Sequence, residues 1–169
     1  LSSTEQHELT IPKVGTLTAA LAFPEMFTAC VAGISRRIAS MRNDKIQNTR
    51  FSDQSDWDID ICGAIAEKCF AKINGLYWAE TVNTFKLPDV GTWHVRGTYH
   101  PRGHLIIRPK DTGDRAALVT LDYMTGTLRG WFDVADAKRE KADGSPNEFW
   151  RGDSWWVPQH KLIQFEVAR

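Results

Sequence analysis

A chain of 169 residues has the size of one domain and is long enough to bury a real core. Hydrophobic content of 42% and charged content of 25% are those of an ordinary globular protein, and no internal repeat or low-complexity tract is present. Lys plus Arg and Asp plus Glu number 21 each, which argues against tight DNA binding by the field of the whole molecule and leaves room only for a local basic groove.

Residues 1–8 form a polar N-terminal tail that should fray, and the whole of 1–169 reads as a single domain. Leu9 to Val14 suits a short edge strand, with Pro12 keeping it out of a sheet centre. A helix is predicted from Pro24 to near Asn43. Phe27, Cys30, Val31, Ile34, Ile38 and Met41 mark its apolar stripe, the side a helix normally turns toward a core, and Arg36, Arg37 and Arg42 lie off it.

Gln47 to Gln54 reads as a loop, and Ser55 to Asp58 has the form of a capping box opening a second helix. Ile59, Cys62, Ile65, Ala66, Cys69, Phe70 and Ile73 give that helix a buried face, and Asn74-Gly75 ends it. The pattern then turns to β. Tyr77-Trp78 and Val82 to Leu87 read as extended, and Pro88-Asp89-Val90-Gly91 as a turn.

Thr92 to Thr98 is a strand with Trp93, Val95 and Gly97 on one face and His94, Arg96 and Thr98 on the other. Tyr99 to Gly103 looks like a hairpin connection to a strand His104–Arg108. Ala116–Tyr123 and Thr127–Val134 pair around Thr125-Gly126, Ala135–Ala142 suits a short helix, and Trp155–Pro158 a last strand. The expected fold class is α/β in the α+β sense, with N-terminal helices packed on a central mixed, largely antiparallel sheet.

Cys30, Cys62 and Cys69 are odd in number and sit in helical patterns, without disulfide or zinc spacing, which fits a reducing, cytoplasmic compartment. No stretch reaches the ~18 apolar residues of a membrane span or has a signal-peptide layout, so no membrane partner is expected. The chain opens on Leu1, consistent with loss of upstream residues.

Glu67 lies off the main stripe of the second helix, near Gly63 and Ala64, and its bland role is a solvated acid paired with Lys68 or Lys72. Asp89 is either a turn aspartate after Pro88 or a ligand for a hard cation such as Mg²⁺. His94 and Arg96 are either a solvated strand face or a pair serving a phosphodiester, with Arg placing charge on the phosphorane oxygens. Arg108 and Lys110 add positive charge near the same edge, and Arg36 and Arg37 on the first helix are further candidates for nucleic-acid contact. Of the aromatic residues in the tryptophan-rich second half, most are expected in the core rather than stacked on bases.

A helix glutamate, a Pro-Asp at a strand start and two polar residues alternating along the next strand form an ordered set. In this set the chain resembles the PD-(D/E)XK, or restriction-endonuclease-like, nuclease superfamily. Glu67 matches its helix acid, Asp89 the Asp of Pro88-Asp89, and His94-Val95-Arg96 falls where the family has its acid-x-Lys pair. Arg96-Gly97-Thr98, Leu105-Ile106-Ile107-Arg108, Asp111, Gly130-Trp131 and Val157-Pro158-Gln159 are similar to features of small phage proteins placed in that superfamily. The resemblance runs from Asp58 to Leu162 and rests on short motifs.

It implies a restriction-endonuclease-like sheet and a hydrolase that cuts DNA, with RNA the alternative. Mg²⁺ or Mn²⁺ would be held by Glu67, Asp89 and His94, with a cytoplasmic location, in the host if phage-encoded. Two departures stand out. His94 replaces an acid, and Arg96 replaces a lysine and cannot give up its proton near neutrality; Lys86 is then the amine that could migrate into the site. The rival readings are a degenerate domain that binds nucleic acid without cutting, and a protein-interaction domain using the tryptophan-rich half. The oligomeric state is left open, a homodimer included.

Overall fold

A computed structural model describes residues 17–42, 55–80 and 88–167. The expected edge strand Leu9–Val14, the loop Gln47–Gln54 and the extended run Val82–Leu87 fall outside them. The elements in order are β1 (Thr18–Ala20), α1 (Phe23–Arg42), α2 (Asp56–Asn74), β2 (Trp93–Thr98), β3 (Leu105–Ile107), β4 (Arg115–Asp122), β5 (Thr125–Asp133), α3 (Val134–Lys138) and β6 (Trp155–Val157).

Four strands form a sheet in the order β1-β5-β4-β2, and β3 and β6 form a second, two-stranded sheet. In the larger one β2 runs parallel to β4, while β4–β5 and β5–β1 are antiparallel. The expected α+β architecture, helices on a mixed and largely antiparallel sheet, is therefore present. Among the described residues no helix is long and apolar enough to cross a membrane.

β4 explains the layering. All of Ala116 to Leu121 is buried, because both faces of the strand are covered. Ala117, Val119 and Leu121 join a core with α2, where Cys62, Ile65, Ala66, Cys69 and Phe70 lie. Ala116 and Leu118 join a second core with Leu105, Ile107, Val134 and Val157. A central strand buried on both sides needs a continuous apolar run rather than an alternation.

α2 begins on a true capping box: Asp58 N–H donates to the Ser55 hydroxyl, and Ser55 N–H donates back to the Asp58 carboxylate. It stops at Gly75, whose φ of 62° is left-handed and open to glycine at no steric cost. The helix lies close on the sheet: a Cβ at Gly97 would stand 2.7 Å from both the Cys62 carbonyl oxygen and the Ala66 Cβ.

Five expectations need correction. The apolar stripe of α1 does not face the core: Phe27, Val31, Ile34, Ile38 and Met41 are exposed. α1 instead buries its small side, Ala29, Ala32, Gly33 and Ser40. A Cβ at Gly33 would lie 2.6 Å from the Ile61 Cα, so large residues cannot occupy that crossing. Tyr99–Gly103 is no hairpin, since β3 pairs with β6 and the chain crosses over to bring β4 parallel to β2. Thr125-Gly126 belongs to β5, with the hairpin turn at Tyr123-Met124. Tyr77-Trp78 lies outside any strand, and the helix expected at Ala135–Ala142 is only α3.

Candidate functional site

Glu67 is buried, although it is a helix acid off the apolar stripe. The close crossing at Gly33 lets Arg36 of α1 reach it. The guanidinium donates to both Glu67 oxygens at 2.7 Å, and the Trp78 Nε1–H donates to Oε2 at 2.9 Å. Lys68 and Lys72 do not take the partner's role expected of them: Lys72 is paired with Glu25 at 2.6 Å and Lys68 lies over the Trp78 ring. Gly63, one turn before Glu67, has open space where a Cβ would stand.

Burial pushes the Glu67 carboxyl up from its ordinary value, and the charge of Asp89 adds to the rise, while Arg36 and Trp78 oppose it. Both oxygens accept from a guanidinium, the arrangement of an ionised carboxylate.

Asp89 stands just before β2, the edge strand of the sheet. A tight turn places it there, with Trp93 N–H donating to the Val90 carbonyl and Gly91 at a φ of 58°. The Asp89 Oδ2 accepts from Val95 N–H at 2.8 Å and from Arg96 at 3.1 Å, with His94 Nδ1 at 3.8 Å. Burial alone would raise this carboxyl, but His94, the Arg96 charge and the Val95 N–H together hold it below its ordinary value.

His94 and Arg96 share the face expected of them, but that face is not solvated: His94 is buried and Arg96 largely so. Arg96 bridges two acids, since its other arm donates to Asp111 at 2.6 Å and its Nε–H to the Ile106 carbonyl. Asp111 is buried as well and accepts from the Arg108 N–H. Its pairing with Arg96 had no distinctive signal in the sequence, the two lying 15 residues apart.

The His94 Nε2 lies 2.5 Å from the Thr112 carbonyl oxygen, which can only accept, so that nitrogen carries a proton. Burial works against charge on His94, yet Asp89 and Thr112 outweigh it and raise its pKa above the ordinary value. The second nitrogen, Nδ1, faces the Asp89 Oδ2 at 3.8 Å.

These contacts bear on the implied metal. Mg²⁺ and Mn²⁺ are held by oxygen or imidazole lone pairs that face the ion. Both Glu67 oxygens are taken by Arg36, the Asp89 Oδ2 accepts two donors, and the His94 Nε2 is turned to the Thr112 carbonyl. Among the described residues no group of three or more His, Cys, Asp or Glu side chains is placed to hold an ion. As folded, this donor set suits an internal ion-pair network and does not fit a divalent cation.

The remaining candidates divide. Arg37 is buried and paired with Asp56 at 2.9 Å, so with Arg36 it serves the fold rather than a ligand surface. Lys86 lies outside the described residues. Lys110 is exposed, and Arg108 is half-buried with no ion pair to its guanidinium among the described residues. Burial and the nearby Arg96 charge weaken its hold on its proton, against the longer-range pull of Asp111, Asp89 and Asp60.

Trp78, Trp93 and Trp131 are buried, and Trp150, Trp155 and Trp156 are half-buried. Compared with family models, with curated proteins and with solved structures, the chain matches none.

Proposed function

We propose that this chain is a nucleic-acid-binding domain on the restriction-endonuclease-like plan that holds its ligand without cutting it. The observation that carries the reading is the state of the acids. Glu67, the residue that matches the family's helix acid, has both oxygens engaged by Arg36, and Asp89 is engaged by Val95 and Arg96. The same network leaves Arg108 as a half-buried cation beside Arg96 without an acid at ion-pairing distance among the described residues. A phosphate oxygen is the kind of partner that would satisfy it, since guanidinium groups match phosphate in a bidentate fork.

Fluorescence anisotropy with labelled duplex and single strands of DNA and RNA tests this directly. Binding should weaken with salt along a shallow slope, and no strand should be cut in Mg²⁺ or Mn²⁺. Loss of affinity in Arg108→Ala supports the reading, whereas the absence of any salt-sensitive binding would remove it.

The hydrolytic reading keeps one point in its favour, namely that the Asp89 charge contributes to the raised Glu67 carboxyl. It requires Arg36 to release Glu67. Metal-dependent cutting that disappears in Asp89→Asn would establish it in place of the binding reading.

A further inference from the structure

We propose that the outward face of α1 is a self-association seam along which two copies of this chain pair. Phe27, Val31, Ile34, Ile38 and Met41 follow one another at intervals of four, three, four and three residues. That alternation is a coiled-coil seam, with β-branched Val31 and Ile38 on one set of positions. These five side chains are 59%, 45%, 38%, 48% and 54% exposed, and Phe23 just before them is 78% exposed.

The fold cannot turn this stripe inward. The opposite side of α1 is committed to α2 through Ala29, Ala32 and Gly33, where a Cβ at Gly33 would already meet the Ile61 backbone at 2.6 Å. α1 is 20 residues long, enough for a seam of about 30 Å.

The seam is bordered by Thr28, Cys30, Ser35, Arg37 and Arg42, of which Arg37 is tied to Asp56 at 2.9 Å and Arg42 is exposed. What selects a second copy as the occupant is area. Taking ~200 Å² as the free surface of a large apolar side chain, the six exposures leave on the order of 600 Å² of apolar stripe per copy. Two copies would then bury about 1,200 Å², the lower end of what specific interfaces use. Because Arg36 lies off the stripe and points to Glu67, the pairing leaves the Asp89 edge uncovered and does not depend on how that edge functions.

Sedimentation of the full chain across a concentration series tests the seam. The mass should rise from 19.1 kDa toward twice that value as concentration increases. Val31→Glu and Ile38→Glu should each hold it at the monomer mass while keeping the wild-type circular dichroism. A wild-type chain that stays monomeric at every concentration overturns the proposal, and so does a dimer indifferent to both variants. Two variants that both fail to fold would mean that the chain itself covers the stripe, which also overturns it.

Discussion

At the start of β2 the His94 imidazole lies between the Asp89 carboxylate and the Thr112 carbonyl, and its folded pKa stands above the ordinary 6.5. A raised folded value means that this group's contribution is fully present below the unfolded pKa and is lost as pH rises through the folded one. Urea unfolding should therefore show stability falling as pH climbs from just above 6.5, and His94→Gln should flatten that part of the profile. A wild-type profile that rises over the same window would contradict the raised His94 value. Asp89 has the opposite sign: its lowered value gives stability present above the ordinary 3.8 and lost as pH falls through the folded pKa. Glu67 and Arg36 make a third case. Removing Arg36 leaves a carboxylate only 4% exposed without its countercharge, and breaking one side of a buried pair costs about 3 kcal/mol. Arg36→Ala should lose that much near neutrality and recover part of it in mild acid, because the already raised carboxyl can then be protonated. Glu67→Gln should cost less, since the freed guanidinium is 20% exposed and can turn to water. Chemical denaturation at two pH values separates the variants.

Among the elements, α2 holds the site together, and its glycine contacts predict substitutions of opposite sign. Gly97→Ala forces a methyl against the Cys62 carbonyl and the Ala66 Cβ, both 2.7 Å away, and overpacking of this kind costs roughly 1–3 kcal/mol. Gly63 lies inside the same helix with nothing within 4 Å of a new Cβ, so Gly63→Ala should stabilise by roughly 0.5–1 kcal/mol through helix propensity alone. Equal melting temperatures for the two variants would refute the close packing of α2 on β2. The start and end of α2 were legible in the sequence because caps are local chemistry: Ser55 and Asp58 need only each other, and Gly75 needs only its own φ. β4 and β5 were legible for the same reason, as an apolar run beside its nearest neighbour. The facing of α1 was not. Periodicity reveals a stripe without saying what lies against it, and the small residues Ala29, Ala32 and Gly33 that set the crossing carry little hydrophobic signal. The parallel pairing of β2 with β4 is likewise non-local, and a turn-rich run after Thr98 reads as a hairpin until the crossover through β3 is known. At the site, Glu67 and Asp89 stood out through the family pattern, whereas Arg36 sits 31 residues from its partner and nothing near either residue announces the pair.

For the molecule as a whole, the balance of 21 basic and 21 acidic residues limits how any nucleic acid can be held. Long-range attraction cannot supply the affinity, so the contact must be local, and Arg108, whose guanidinium makes no ion pair among the described residues, is the cation placed to make it. Each phosphate neutralised contributes a slope of about −0.9 to the logarithm of the binding constant against the logarithm of salt on duplex DNA, and about −0.7 on a single strand. A neutral chain using one guanidinium and a few neighbours should show a shallow slope, between about −1 and −3, unlike the steep dependence of a basic DNA-binding protein. Arg108→Ala should reduce it by about one and weaken binding to all sequences alike, since a phosphate contact reads no base. Lys110→Ala should act more weakly, because that side chain is exposed and its charge is screened. Arg36→Ala at the other end of the network should leave the slope unchanged while lowering stability. If the slope instead responds to Arg36 and ignores Arg108, the ligand lies against Glu67, and the ion pair there is displaced on binding.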